Sequence, residues 1–93
     1  MGNKAWKSLE RYIAEYLGGQ RDWTALEDVT HDLYSVEAKH RKQLPQWLHD
    51  AMTQAETNSP DGKVAIVVLH QKHQPREDCY VVMRLRTFRE WHA

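Results

Sequence analysis

Apolar residues recur at helical spacing in two stretches of this chain, and each stretch predicts one amphipathic helix. The first helix is predicted over residues 4–17, where one face carries Trp6, Leu9, Ile13, Tyr16 and Leu17. Gly18-Gly19 is expected to end it, because glycine readily adopts the backbone conformation found just past a helix. The second helix is predicted over residues 44–58 with Pro45 in its first turn. Its buried stripe is expected to comprise Leu44, Trp47, Leu48, Ala51, Met52 and Ala55.

Strand patterns occupy the segments between and after these helices. Residues 20–32 are weakly patterned, and one or two short strands are expected there. Over residues 33–40 a period of two places Ser35, Glu37 and Lys39 on one face of a strand. Residues 64–69 are apolar throughout, which predicts a central strand covered on both faces. The remaining pattern predicts a turn at residues 59–62, a polar connection over 70–78, a strand over 79–85 and a short closing helix over 87–91.

This order of elements predicts a single α/β domain over residues 1–93. A central strand that is apolar on both faces requires helices on both sides of its sheet, which is an α/β layer arrangement. The strand, helix and strand of residues 33–69 should then form a right-handed parallel crossover. A core built from 93 residues is small, so we also expect oligomerisation.

Composition and charge indicate the cellular compartment in which the protein is expected to act. Cys79 is the single cysteine, so no internal disulfide can form and a reducing compartment is expected. The sequence contains no apolar run that resembles a signal peptide or a membrane span, which predicts a cytoplasmic protein without membrane association. Net charge is zero with neutral histidines, but basic residues cluster in Lys39-His40-Arg41-Lys42 and again at Arg84, Arg86 and Arg89.

The strongest candidate chemistry lies in Asp28, Glu37 and Lys39. Asp28 precedes Glu37 by nine residues, so two carboxylates on neighbouring strands would converge on one divalent cation. Magnesium prefers such oxygen ligands, and the backbone carbonyl of Ala38 would be a further ligand. Lys39 lies two residues after Glu37 on the same strand face, where it would orient or deprotonate a metal-bound water for attack on a phosphodiester. The alternative is a solvated strand face with a weak ion pair.

Four other positions extend this candidate site, each with an ordinary alternative. Glu10 lies at the edge of the apolar stripe of the first helix, either as a third acid facing the metal or as a boundary residue reaching water. The basic run His40, Arg41 and Lys42 would meet a scissile phosphate or form a solvated loop. Gln54, beside the stripe of the second helix, would reach the site or a phosphate, or is simply a boundary residue. The sequence contains neither a glycine-rich phosphate loop nor a serine nucleophile elbow.

The ordered set of these segments resembles a known family. Leu9-Glu10-Arg11, Leu17-Gly18-Gly19, Asp28-Val29, residues 35–42, and Leu44-Pro45-Gln46-Trp47-Leu48 are similar to small phage and prophage nucleases. Those proteins resemble the archaeal-type Holliday-junction resolvases of the PD-(D/E)XK superfamily. The similarity continues through Asp61-Gly62-Lys63 and residues 80–85, so it covers most of the chain.

The resemblance implies a fold, a cofactor and an activity. The fold would be the restriction-endonuclease-like one, a mixed central β-sheet of about five strands flanked by helices. Asp28 and Glu37 match the family's metal-binding acids, Lys39 its catalytic lysine, and Glu10 the acid on its first helix, acting directly or through water. The cofactor would be Mg²⁺, with Mn²⁺ as a substitute. The substrate would be DNA, branched DNA included, and the protein would act as a homodimer.

Two other function classes compete with the metal-dependent endonuclease. One is a non-catalytic DNA- or protein-binding module that keeps the nuclease fold, which calorimetric binding of magnesium or manganese would distinguish. The other is a structural or assembly protein of a phage, which predicts neither metal dependence nor affinity for nucleic acid. Trp47, Phe88 and Trp91 are candidates for a dimer surface if they are exposed.

Overall fold

The computed structural model describes residues 2–18, 29–30 and 33–92, with side chains for residues 7–18 and 33–91. The chain divides into two compact units, an N-terminal unit that ends at Lys42 and a C-terminal unit that runs from Gln43 to His92. The prediction of one domain over residues 1–93 stays a prediction. None of the described helices is both long and apolar enough to cross a membrane.

The N-terminal unit combines one helix with a two-stranded sheet. Helix α1 spans Gly2–Leu17, which confirms the first predicted helix. Ile13 and Leu17 of the predicted apolar face are buried, together with Glu10 and Ala14, which that face did not include. Gly18 follows with a φ of +77°, the left-handed conformation expected past a helix end. Strand β1 (Val29–Thr30) contacts α1 and pairs antiparallel with strand β2 (Ser35–Val36). In this register Val29 lies opposite Val36.

The C-terminal unit contains two helices and a second two-stranded sheet. Helix α2 spans Gln46–Asn58 and helix α3 spans Leu85–His92, so both predicted helices are confirmed, the closing one being longer than expected. Strand β3 (Val67–Leu69) pairs antiparallel with strand β4 (Tyr80–Val82) and contacts α2. A 3-10 helix over Arg76–Asp78 interrupts the polar connection between the two strands.

The predicted mixed central sheet of about five strands, and with it the restriction-endonuclease-like fold, is wrong. The described strands form two separate two-stranded antiparallel sheets, β1–β2 and β3–β4. The predicted parallel crossover over residues 33–69 is wrong as well, because β2 pairs with β1 and β3 pairs with β4. Connection length supplies the reason. Four residues separate β1 from β2 and ten separate β3 from β4, and connections this short permit antiparallel pairing, whereas a parallel crossover needs about a dozen residues or more.

The predicted burial of the C-terminal unit is wrong at two places. Val68 is 57% exposed, so the apolar strand is covered on one face only, the face of the half-buried Val67 and Leu69. Leu44 and Trp47, expected in the buried stripe of the second helix, are 47% and 58% exposed. Since α2 begins at Gln46, Leu44 precedes the helix and Trp47 lies in its first turn. Met52, further along, is the buried residue of α2.

Candidate active site

Glu37 and Lys39 lie side by side just beyond strand β2. Lys39 Nζ is 3.0 Å from Glu37 Oε1, and the two side chains are 63% and 58% exposed. Exposed Ser35, Glu37 and Lys39 alternate with half-buried Val36 and Ala38, so the period of two continues past the last paired residue. An ion pair this exposed is weak, and either partner is therefore available to a ligand.

Asp28, the other predicted metal-binding acid, lies outside the described residues. Val29, which follows it in the sequence, pairs with Val36, which precedes Glu37. In the sequence, Asp28 and Glu37 are therefore the direct neighbours of Val29 and Val36, which form one paired position of the β1–β2 hairpin. Within residues 7–18 and 33–91, no three His, Cys, Asp or Glu side chains form a group that would hold a metal ion.

Glu10 is buried rather than extended into water. Its exposed fraction is 6%, and the residues three and four positions later on the same helix, Ile13 and Ala14, are also buried. The interpretation of Glu10 as a boundary residue reaching solvent is therefore wrong. A buried carboxylate requires a compensating interaction, and Glu10 does have one. Glu10 thus belongs to the packed part of the N-terminal unit.

The basic run that follows Lys39 is exposed. His40, Arg41 and Lys42 all lie at the surface, and Arg41 Nη1 donates a hydrogen bond to the carbonyl oxygen of His40 at 2.9 Å. This contact uses one guanidinium nitrogen of an exposed side chain. Gln54 is exposed on α2 of the C-terminal unit.

The C-terminal unit contains a bidentate ion pair that the sequence did not predict. Arg84 Nε donates to Glu56 Oε2 at 2.5 Å and Arg84 Nη2 donates to Glu56 Oε1 at 2.9 Å. The hydrogen bond from Arg84 holds the pKa of Glu56 below its usual range, and the same bond raises the pKa of Arg84. Twenty-eight positions separate the two residues, so no local pattern indicates the pair. Arg84 is thus engaged within the fold, although its sequence placed it in a basic cluster.

Comparison with protein-family models, with curated proteins and with solved structures finds no match to this chain.

Proposed function

We propose that this protein is a metal-dependent endonuclease that hydrolyses phosphodiester bonds in DNA, with a preference for branched DNA. The observation that carries the proposal is the register of the β1–β2 hairpin. Val29 lies opposite Val36, and their sequence neighbours are Asp28 and Glu37, the two acids assigned to the metal. Lys39, the third residue of the proposed site, has its Nζ atom 3.0 Å from Glu37 Oε1.

In this proposal the described side chains would supply part of a magnesium site. They contain no group of three metal-binding side chains, but magnesium is commonly held by one or two carboxylates together with substrate phosphates and retained waters. Asp28 and Glu37 would fill that role, with the carbonyl of Ala38 as a further oxygen ligand and Glu10 acting directly or through water. When bound, the metal supplies Lewis-acid polarisation of the phosphate and a more acidic water.

The remaining roles belong to basic side chains. Lys39 would hold the attacking water in line with the phosphorus and accept or share its proton, a contribution that in enzymes is typically about 10²- to 10⁴-fold in rate. The exposed side chains of His40, Arg41 and Lys42 would bind phosphates beside the cut, where Arg offers a bidentate fork. Gln54 would contribute a polar contact to the DNA.

A homodimer is part of the proposal, because two cuts in a branched substrate need two sites. Trp47, which is 58% exposed, is the candidate contact between the two copies. Large aromatic side chains are enriched at such interfaces.

The proposal is tested by cleavage of a labelled four-way junction and a linear duplex of the same sequence, with Mg²⁺, Mn²⁺ or EDTA. We expect metal-dependent cutting of the junction. Glu37→Gln and Lys39→Ala should each reduce it by at least about 100-fold. The matched control is Glu77→Gln, an exposed acid of the 3-10 helix, which should cut at the wild-type rate. Metal-independent cutting, or full activity of Glu37→Gln, would overturn the assignment.

The second candidate function is a non-catalytic module that binds DNA or a protein. The exposed pair of Glu37 and Lys39 favours it, because such a pair occurs on solvated faces without any catalytic role. Calorimetry separates the two proposals. Magnesium binding that Glu37→Gln abolishes supports the nuclease, whereas DNA binding without metal binding or cleavage supports the module.

A further inference from the structure

A cavity of about 350 Å³ opens on the surface of the C-terminal unit, between the turn after α2 and helix α3. Its lining includes Glu56 from α2, Asp61 and Lys63 from the turn, and Glu90 and Trp91 from α3. This volume lies within the range of ligand-binding pockets in proteins, about 300–1,000 Å³.

The turn that forms one wall is well fixed by its own hydrogen bonds. The backbone N–H of Lys63 donates to the carbonyl of Pro60 at 3.2 Å, and the Ser59 hydroxyl donates to the carbonyl of Lys63 at 3.4 Å. Gly62 has a φ of +82°, a conformation that glycine adopts without strain. The wall is therefore largely formed before any ligand arrives.

The charges around the cavity favour a cation. Three carboxylates line it, those of Glu56, Asp61 and Glu90, against the single ammonium of Lys63. Glu56 is held by Arg84. The carboxylates of Asp61 and Glu90 make no hydrogen bond or ion pair with any side chain in the described part of the chain. Two acids with free hydrogen-bonding capacity thus face the same cavity.

The arrangement of the lining groups indicates which kind of cation the cavity would bind. The three acids do not converge as a group that would hold a metal ion, which favours an extended organic cation. Trp91 is 53% exposed and lines the same cavity, so its indole face is available to a cation. A guanidinium group fits both features, since it stacks on aromatic rings and donates bidentate hydrogen bonds to carboxylates.

We propose that this cavity binds an arginine side chain of a partner protein. The guanidinium lies against the indole of Trp91 and donates to the carboxylates of Asp61 and Glu90. The bound arginine and the residues that flank it in the partner would cover the exposed side of α3. Complementarity of charge defines the partner as a protein segment that presents arginine, and the cavity lining shares no residue with the proposed metal-binding and DNA-binding groups.

The test uses the full chain labelled with ¹⁵N and titrated with N-acetyl-arginine amide, followed in amide and indole NMR spectra. N-acetyl-citrulline amide is the probe control, because it keeps the shape of arginine without its charge. We expect saturable shifts confined to the Trp91 indole and the amides of residues 59, 61–63 and 87–91, with arginine but not with citrulline.

Variants locate the site within the cavity. Glu90→Gln, Asp61→Asn and Trp91→Leu should each weaken binding by about 2- to 5-fold. The double variant of the two acids should weaken it by about 5- to 20-fold. Glu77→Gln, an exposed acid outside the cavity, should bind as the wild type does. Equal shifts with citrulline, unchanged binding in the double variant, or no shift at all would overturn the proposal. Because Glu90→Gln changes an exposed side chain, it tests the site even if Trp91→Leu fails to fold.

Discussion

Replacing Val68 by threonine distinguishes the one-sided sheet of the structure from the strand that the sequence predicts. Val68 lies in the middle of β3, opposite Val81 of β4, and is 57% exposed. Threonine has nearly the same shape as valine but carries a hydroxyl group. The substitution therefore reports whether this position meets water or apolar side chains.

The structure predicts a small loss of stability. Less than half of the Val68 side chain is covered, so about 0.8 kcal/mol for a buried methyl group scales to roughly 0.3–0.4 kcal/mol. The new hydroxyl reaches water and adds little. In a strand covered on both faces, the same substitution would also leave a buried hydroxyl without a partner, which costs about 1–3 kcal/mol more. The two alternatives differ by at least about 1 kcal/mol.

The assay is urea unfolding followed by far-ultraviolet circular dichroism, with Val67→Thr as the matched control. Val67 is the preceding residue, half-buried on the opposite face, so strand propensity and effects on the unfolded chain are nearly equal for the two variants. We expect Val67→Thr to lower the free energy of unfolding by about 1 kcal/mol or more and Val68→Thr by less than about 0.5 kcal/mol. A loss for Val68→Thr that equals or exceeds the loss for Val67→Thr would refute the one-sided sheet.

Three further predictions concern residues outside β3. Met52→Ala should lower the free energy of unfolding by about 2–5 kcal/mol, because Met52 is the buried residue of α2, while Met52→Leu should cost less than about 1.5 kcal/mol; equal losses in urea unfolding would contradict this. The pKa of Glu56 is lowered in the folded protein, so its stabilising contribution is complete above the unfolded pKa and disappears as pH falls through the folded pKa. Glu56→Gln should therefore flatten the acid limb of a melting-temperature profile, and an unchanged limb would count against the Arg84 pair. Gly18→Ala should destabilise α1 by about 1–2 kcal/mol, because alanine is strained at the φ of +77° found there. The added methyl group would meet no atom within 4 Å, so backbone strain is the whole of the expected effect. Thermal unfolding of the variant that matches the wild type would exclude this conformation.

Local patterns were sufficient for the helices and for the candidate ion pair. The apolar stripe through Ile13 and Leu17 is fixed by neighbours three and four positions away, and the structure confirms α1 around it. The alternation that placed Glu37 and Lys39 on one face is likewise local, and the two side chains lie 3.0 Å apart. Which strands pair is a different question, since it depends on the connections between them and on which other elements compete for the same edge.

The sequence by itself determined where helices form, where the turn at residues 59–62 falls and which residue types could carry phosphodiester chemistry. Only the tertiary structure decided that β3 pairs with β4 alone among the described strands, that Val68 faces outward and that Glu10 is buried. It also decided that Glu56 and Arg84 meet across 28 positions. The physical reason is that periodicity records a residue's preference for water or for apolar surroundings, whereas burial depends on which distant surface arrives to cover it. Residues 64–69 are apolar on both faces of the strand, but the structure covers only one of these faces.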